Sequence, residues 1–372
     1  MEKKNMKLQD IINKASTISG DEKVFAELRH SLKPTLIYGC SDYSEIVYKY
    51  LKRNKIEVEA YAVDRKYWKE NSFIEGMRVE CIDDFAIDKY NLVIGFGDVE
   101  KSKFLMNNKN LLKTKCYFLW EPVKYYEWDL QFIKSRWESF IEVYYGLADE
   151  KSRKTLFELI IAKLNKYCNN SLIEVADGNK HYFNELTFSL DSTNEVFVDC
   201  GAYNGDTILQ YAAFTERNYK KIYAFEPDSE FIIELKHNIK SLKNVEVINK
   251  GNWKEDTTLS FKKNGEISHV NEYKGENTVQ VTTIDKAIKD EVTFIKMDIE
   301  GSELEALQGA AETISTYMPK LAICCYHKKD DIIQLYQYIN KIKNQKKKYN
   351  IYLRHHSNNT CETVLYAIPK KR

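Results

Sequence analysis

The twelve residues Val196-Phe197-Val198-Asp199-Cys200-Gly201-Ala202-Tyr203-Asn204-Gly205-Asp206-Thr207 constrain this chain more than any other stretch. An apolar run ends in a carboxylate, and two glycines four apart follow it. A run that is apolar throughout suits a parallel strand covered on both faces. The glycines supply a tight turn, and a helix opening beyond them points its first N–H groups at a ligand. A second run, Lys221-Ile222-Tyr223-Ala224-Phe225, ends at Glu226-Pro227. Glu226 lies 21 residues past Gly205, close to the roughly 20-residue offset at which an acid meets a ribose in dinucleotide folds. The pair indicates a nucleoside-bearing cofactor. It leaves open which one.

At 372 residues the chain is too long for one ordinary core, so two domains are expected. Hydrophobic residues at 43% and charged residues at 30% describe a folded globular protein. A formal charge of +1 gives no field that favours nucleic acid or a membrane surface. The lysine clusters at Lys346-Lys347-Lys348 and Lys370-Lys371-Arg372 are short and read as solvated charges. Eight cysteines without a CxxC pair resemble neither a zinc ribbon nor a disulfide framework. They fit buried thiols in a reducing compartment. The first residues carry no apolar leader and no run reaches the ~20 residues of a membrane span, so a cytoplasmic protein is expected.

Along the chain, Thr35–Gly39, Val58–Val63 and Leu92–Gly97 read as strands, with a helix over Ser44–Lys52. This predicts a Rossmann-like α/β domain over residues 1–122, broken at Glu121-Pro122. Residues 123–180 then show helical spacing and read as a bridge of two helices with Gly146 between them. Residues 181–372 form the second α/β domain. Its strands are predicted at 195–200, 221–226, 244–249, 292–298, 320–326, 349–354 and 362–368, with helices at 206–213, 229–240, 302–315 and 330–343. Thr257–Lys263 and Asn277–Ile284 read as a hairpin. The alternation implies a doubly wound, seven-stranded sheet. Its last strand follows without a helix and is expected antiparallel, at or near the edge.

Ligands of an open α/β sheet bind outside the carboxyl ends of its strands, at the switch in strand order. The residues ending the strands are therefore the candidates: Asp199, Glu226, Lys250 to Trp253, Asp298, His327, and His355-His356. The glycine turn departs from G-x-G-x-x-G, because no two glycines stand two apart for close pyrophosphate approach. Asp199, beside the first glycine, would repel a phosphate and welcome an ammonium group. A cofactor with a cationic amino-acid end and a ribose end suits Asp199 with Glu226. S-adenosylmethionine has that shape.

Val198-Asp199-Cys200-Gly201-Ala202, Gly205-Asp206-Thr207, Phe225-Glu226-Pro227, Lys296-Met297-Asp298-Ile299-Glu300-Gly301-Ser302-Glu303 and Gly309-Ala310 stand in one order over residues 195 to 368. In these motifs the chain resembles the FkbM family of S-adenosylmethionine-dependent methyltransferases. The resemblance implies a class I methyltransferase fold and, as in many members, O-methylation of a sugar or secondary-metabolite hydroxyl. It implies that Asp199 and Gly201 hold the methionine end of the cofactor, on a turn lined by Ala202, Tyr203, Gly205 and Thr207. Glu226 would take the ribose hydroxyls, Pro227 and Asp228 would flank the adenine, and Asn252 or Trp253 would lie beside the base. Asp298 would stand close to the sulfonium.

An attack by a hydroxyl also needs a group that receives its proton. His327, ending the run Leu321 to Tyr326, is expected as that base, with Asp298 beside it. Glu300, His355 and His356 are candidates to bind the acceptor. Glu300 has a second reading, as a carboxylate favouring a helix dipole. Asp298, His327 and a nearby histidine could hold a divalent cation, but no spacing is diagnostic and no metal is expected. In the first domain, Gly39-Cys40-Ser41-Asp42-Tyr43-Ser44 keeps only one glycine of a dinucleotide turn, and Asp64 ends the second strand. That domain is expected to serve dimerisation or acceptor binding. The expected partner is a small-molecule or glycan hydroxyl, with a nucleotide-linked acceptor and a homodimer left open and no nucleic acid. Two rival readings are a nicotinamide-dependent oxidoreductase acting through the first domain and a non-catalytic scaffold.

Overall fold

The computed structural model describes residues 7–15, 20–107, 114–119, 128–165, 170–178, 181–189, 192–264, 267–271, 277–342 and 348–370. Contacts divide the chain into two units. The first comprises Met1–Glu138, Arg153–Asn179 and His355–Glu362; the second comprises Ser139–Ser152, Lys180–Arg354 and Thr363–Arg372. This differs from the expected division at 122 and 180, two positions that lie outside the described residues. The helical segment is shared between the units instead of standing apart, and a loop near the C-terminus returns to the first. A helix belongs to the core that buries its apolar stripe.

In the first unit, β1 (Thr35–Tyr38), β2 (Ala60–Val63), β3 (Phe73–Ile74), β4 (Met77–Cys81), β5 (Asn91–Ile94) and β6 (Cys116–Tyr117) form one sheet in the order β3-β4-β2-β1-β5-β6. β1 runs parallel to β2 and β5, with Leu36 opposite Ala60 and Leu92. Alternate residues feed two cores, as a pleated strand requires. Ile37, Tyr61 and Val93 face one, while Leu36, Ala62 and Leu92 face the other. The helix Asp42–Arg53 opens on a capping box between Ser41 and Ser44. Gly39 sits at φ +140°, and a Cβ there would lie 2.5 Å from the Gly95 carbonyl oxygen. Asp64 accepts hydrogen bonds from the Tyr38 hydroxyl and from Lys101 Nζ.

The second unit holds β7 (Val196–Cys200), β8 (Lys221–Phe225), β9 (Val245–Ile248), β10 (Gly251–Asn252), β11 (Thr257–Asn264), β12 (Ile267–Asn271), β13 (Asn277–Thr282), β14 (Phe294–Met297), β15 (Lys320–Cys324), β16 (Tyr349–His355) and β17 (Thr363–Pro369). Seven of them form a doubly wound sheet in the order β16-β17-β15-β14-β7-β8-β9. Each predicted strand lies within two residues of its observed limits. β17 is antiparallel to β15 and stands second from the edge, with β16 outside it. The expected hairpin is part of a larger sheet, β10-β13-β11-β12, because β12, which lies between its two arms in sequence, pairs with the outer edge of β11. The single helix expected over 302–315 is broken into Glu303–Gln308 and Ala311–Tyr317. Gly309 caps the first piece, and a Cβ there would meet the Trp253 carbonyl oxygen at 2.0 Å.

The strand order reverses between β7 and β14, which places the switch point at their carboxyl ends. Below it the sheet packs against buried aromatic rings. Phe197 stacks on Tyr211 with ring centroids 4.2 Å apart, and Phe294 and Phe183 close the same aromatic cluster. Among the described residues no helix is long and apolar enough to cross a membrane.

Candidate active site

Asp199 and Lys296 are cross-strand partners in the β7–β14 register. Lys296 Nζ lies 2.9 Å from Asp199 Oδ1, and the two residues are 2% and 0% exposed. Burial raises the Asp199 carboxyl, Lys296 pulls it back, and it settles at about 6. Burial likewise lowers the lysine, but Asp199 and Asp298 hold it above its ordinary value. The ammonium group expected at Asp199 is therefore one the chain itself provides. The sequence reading assigned that charge to a ligand because a lysine inside an apolar run carries no sign of its register. Lys296 also donates to the carbonyl of Gly201 at 2.9 Å, tying the strand pair to the glycine turn.

The turn itself is built for close approach. Gly201 has φ +80°, and a Cβ on it would stand 2.0 Å from the carbonyl oxygen of Asp298. The N–H groups of Gly201 and Ala202 donate to the Phe225 carbonyl. Tyr203, at φ +46°, is half exposed and sets its ring against Phe231. Gly205 at φ +87° starts the helix Asp206–Phe214, whose Thr207 N–H is taken by the Asp206 side chain.

Glu226 accepts the N–H of Tyr203 on one carboxylate oxygen and that of Asp228 on the other, each at 2.9 Å. Burial raises this carboxyl to about 7, against those two bonds. Each oxygen keeps a lone pair for another donor. Pro227 leads into Asp228, whose side chain caps the helix Ser229–Asn238 through the Glu230 N–H. Asn252 is 4% exposed, and neither its amide nitrogen nor its amide oxygen has a partner among the described residues. Trp253 packs on Leu259 and Val281 in a small core. Of the two residues proposed beside the base, Asn252 is the one whose side-chain amide is left without a partner among the described residues.

At the end of β14, four groups converge on Asp298. Tyr182 Oη donates to Asp298 Oδ2 at 2.8 Å, and the Tyr326 hydroxyl lies 3.4 Å from Oδ1. His327 Nε2 is 3.3 Å from the same oxygen, and Glu303 Oε1 is 2.9 Å from His327 Nδ1. Lys296 adds its charge. Burial raises the Asp298 carboxyl, but the histidine, lysine and phenol hold it well below the usual carboxylate range. Burial also opposes charge on His327, yet Glu303 and Asp298 lift it well above its ordinary value. This environment suits an imidazolium bridging two acids, where a free base was expected. Asp298, Glu303 and His327 present ligand atoms within 4.8 Å of one another, the spacing a metal ion would need. The ring already turns one nitrogen to each acid. Tyr182→Phe is expected to cost about 1.5–3 kcal/mol, the worth of a hydrogen bond to a charged group, read as a lower urea midpoint at unchanged slope.

Glu300 precedes the helix Glu303–Gln308 and adopts φ +54°, so it is not the first-turn carboxylate of the dipole reading. His355 and His356 belong to the first unit. His356 Nδ1 lies 2.6 Å from the Asp177 carbonyl oxygen, and the Asp177 N–H donates to the His355 carbonyl. Burial and the neighbouring His356 push His355 down to about 3. The chain turns at the end of β16, which His355 closes, into a buried polar loop that starts at His356. The sequence reading missed Lys296, Glu303, Tyr182 and Tyr326. The strand register could have shown Lys296, but no local pattern marks Tyr182.

Seven strands in this order, a carboxylate–glycine turn at the switch point and an acid ending the next strand define a class I methyltransferase fold. Residues 199–360 match the family model of the methyltransferase FkbM domain. Over that stretch the chain carries an FkbM-type methyltransferase domain. The crystal structure of methyltransferase FkbM from Methylobacillus flagellatus is similar at 22% identity over 97% of this chain and 99% of that one, with a TM-score of 0.64. Streptococcus mutans SMU.1697c in complex with SAH, at 16% identity and a TM-score of 0.34, aligns with 50% of this chain and 93% of its own. An rRNA methylase from Streptococcus thermophilus, at 16% and 0.32, aligns with 48% and 89%. No curated protein matches this chain.

Proposed function

We propose that the second unit moves a methyl group from S-adenosylmethionine to a hydroxyl of a sugar, glycan precursor or related small molecule. The observation that carries this reading is the contact of the two halves of the site. The Gly201 turn abuts the backbone of Asp298, so the cofactor turn and the carboxylate cluster adjoin at the carboxyl ends of β7 and β14. The orphaned amide of Asn252 and the spare lone pairs of Glu226 fit the adenosine half of the cofactor. When bound, S-adenosylmethionine supplies a methyl group on positively charged sulfur. Gly201, Tyr203 and Glu226 position it, and Asp298, kept ionised, offers a fixed negative charge where positive charge stands. Tyr182 and Tyr326 hold that carboxylate in place. Alignment of acceptor and methyl then does much of the catalytic work.

The nicotinamide reading draws no support from the first unit, where Asp64 is engaged by Tyr38 and Lys101. Acceptor binding or self-association remains our assignment for that unit. The seven cysteines among the described residues carry free thiols. Incubation with methyl-tritiated S-adenosylmethionine and a panel of UDP- and GDP-hexoses tests the acceptor class. Label is expected in an alkali-stable methyl ether. Label found only on nitrogen, or in an alkali-labile ester, would overturn the hydroxyl assignment.

A further inference from the structure

We propose that the second unit carries a further ligand site at the amino ends of its strands, and that this site takes an uncharged, hydroxyl-bearing ring of monosaccharide size. A pocket of about 250 Å³ lies there, between the start of β7, the start of β15 and the end of the helix Asp206–Phe214. Glu195 and Lys320 stand at the feet of the two strands, and both line it. The carboxylate cluster around Asp298 lies at the opposite, carboxyl ends of the sheet, roughly 15 Å away along a five-residue strand. A ligand in this pocket is therefore held independently of methyl transfer.

Tyr211 is the residue that points to a ligand. It lines the pocket and is 2% exposed, and its hydroxyl has no hydrogen-bond partner among the described residues. Burial and the Glu195 carboxylate raise this phenol above its ordinary value, so it stays a neutral donor. A buried tyrosine hydroxyl normally finds a partner, because it has given up its bonds to water. A ligand hydroxyl would supply one. The charges of the pocket are already balanced. Lys320 Nζ lies 2.8 Å from Glu195 Oε1 and donates to the Thr187 carbonyl at 2.9 Å. The Thr293 hydroxyl donates to the other oxygen of Glu195. A charged ligand would compete inside a pair whose side chains are only 14% and 9% exposed, and the Glu216 carboxylate would repel an anion. Phe188 and Phe214, edge to face with ring centroids 6.0 Å apart, add apolar surface, while Ser192 and Asn218 add polar side chains. Aromatic rings beside a set of polar groups suit a pyranose, whose C–H face is apolar and whose rim carries hydroxyls. A phenol has one hydroxyl and would leave most of those polar groups against carbon. The volume lies below the ~300 Å³ at which pockets for larger ligands begin, so a single ring fills it.

Saturation-transfer NMR of the full chain with the methyl glycosides of glucose, galactose, mannose and N-acetylglucosamine tests this site, with phenol as the competing ring. At least one glycoside is expected to bind the wild type saturably and more tightly than phenol. Tyr211→Phe keeps the ring that stacks on Phe197 and removes only the hydroxyl. It should weaken that glycoside roughly fivefold, the worth of one hydrogen bond, with the thermal midpoint unchanged or higher. Phe188→Ala removes a ring that is 56% exposed, so the core is left intact, and it should weaken binding by a similar factor. Neither variant should alter S-adenosylhomocysteine affinity. A wild type that binds none of the four glycosides, or that binds phenol more tightly, overturns the assignment. So does glycoside binding unchanged in either variant, which would put the sugar elsewhere on the chain, or a loss of S-adenosylhomocysteine affinity in either, which would show that the two ends of the sheet are not independent.

Discussion

Replacing Lys296 with methionine is expected to lower the unfolding free energy by about 3–5 kcal/mol, the range for removing one member of a buried ion pair. Asp199 has no route to water, so it must remain an unpaired charge or take up a proton. Its carboxyl already stands at about 6 beside the lysine, and losing the lysine raises it further. A folded-state pKa above the unfolded value of about 3.9 withdraws stability as pH rises between the two. The loss should therefore be larger at about pH 8 than at about pH 5. The double variant Asp199→Asn with Lys296→Met removes both charges and should recover more than half of the loss. Urea unfolding at the two pH values checks both statements. Equal losses at both, with no recovery in the double variant, would mean that the pair is not coupled.

His327→Gln should bring a loss of similar size, again about 3 kcal/mol or more at neutral pH, because Glu303 and Asp298 lose the cation between them. The pH signature differs. A ring whose folded pKa is raised contributes fully below its unfolded value, about 6.5, and ceases to contribute as pH rises through the folded one. Wild-type stability should accordingly decline on the alkaline side, and the variant should lack this decline. Asp298, held low, acts in the opposite sense, contributing above the ordinary carboxylate range and losing that contribution in acid. The variant should slow methyl transfer far more than it weakens S-adenosylhomocysteine binding, since the ring supports Asp298. Thermal unfolding over a pH series, with calorimetry at neutral pH, separates these effects. An unchanged alkaline limb in His327→Gln would show that the ring carries no extra proton in the folded state.

The strands of the second unit were legible because each apolar run stops at a polar or turn residue. Asp199, Glu226, Asp298 and His327 were visible for the same reason. The fate of their charges was not. Asp199 reads as an acid awaiting a ligand until β7 and β14 are set in register and Lys296 falls opposite it. His327 reads as a base until Glu303, from the following helix, is found against its other nitrogen. Tyr182 arrives from a loop that precedes every strand of its sheet, and no periodicity announces it. His355-His356 looked like a strand-end pair like the others, yet the loop after them folds with the first unit. Backbone geometry also separated Glu300 from a helix-dipole carboxylate, through a left-handed φ that no composition reveals.

The central claim is that the Gly201 turn and Glu226 hold an adenosyl cofactor. Isothermal titration of the purified chain with S-adenosylhomocysteine tests it most directly. One site with a micromolar Kd is expected, weakened at least tenfold by Glu226→Ala, with no heat from NADH. Binding of NADH alone, or S-adenosylhomocysteine affinity indifferent to Glu226→Ala, would contradict it.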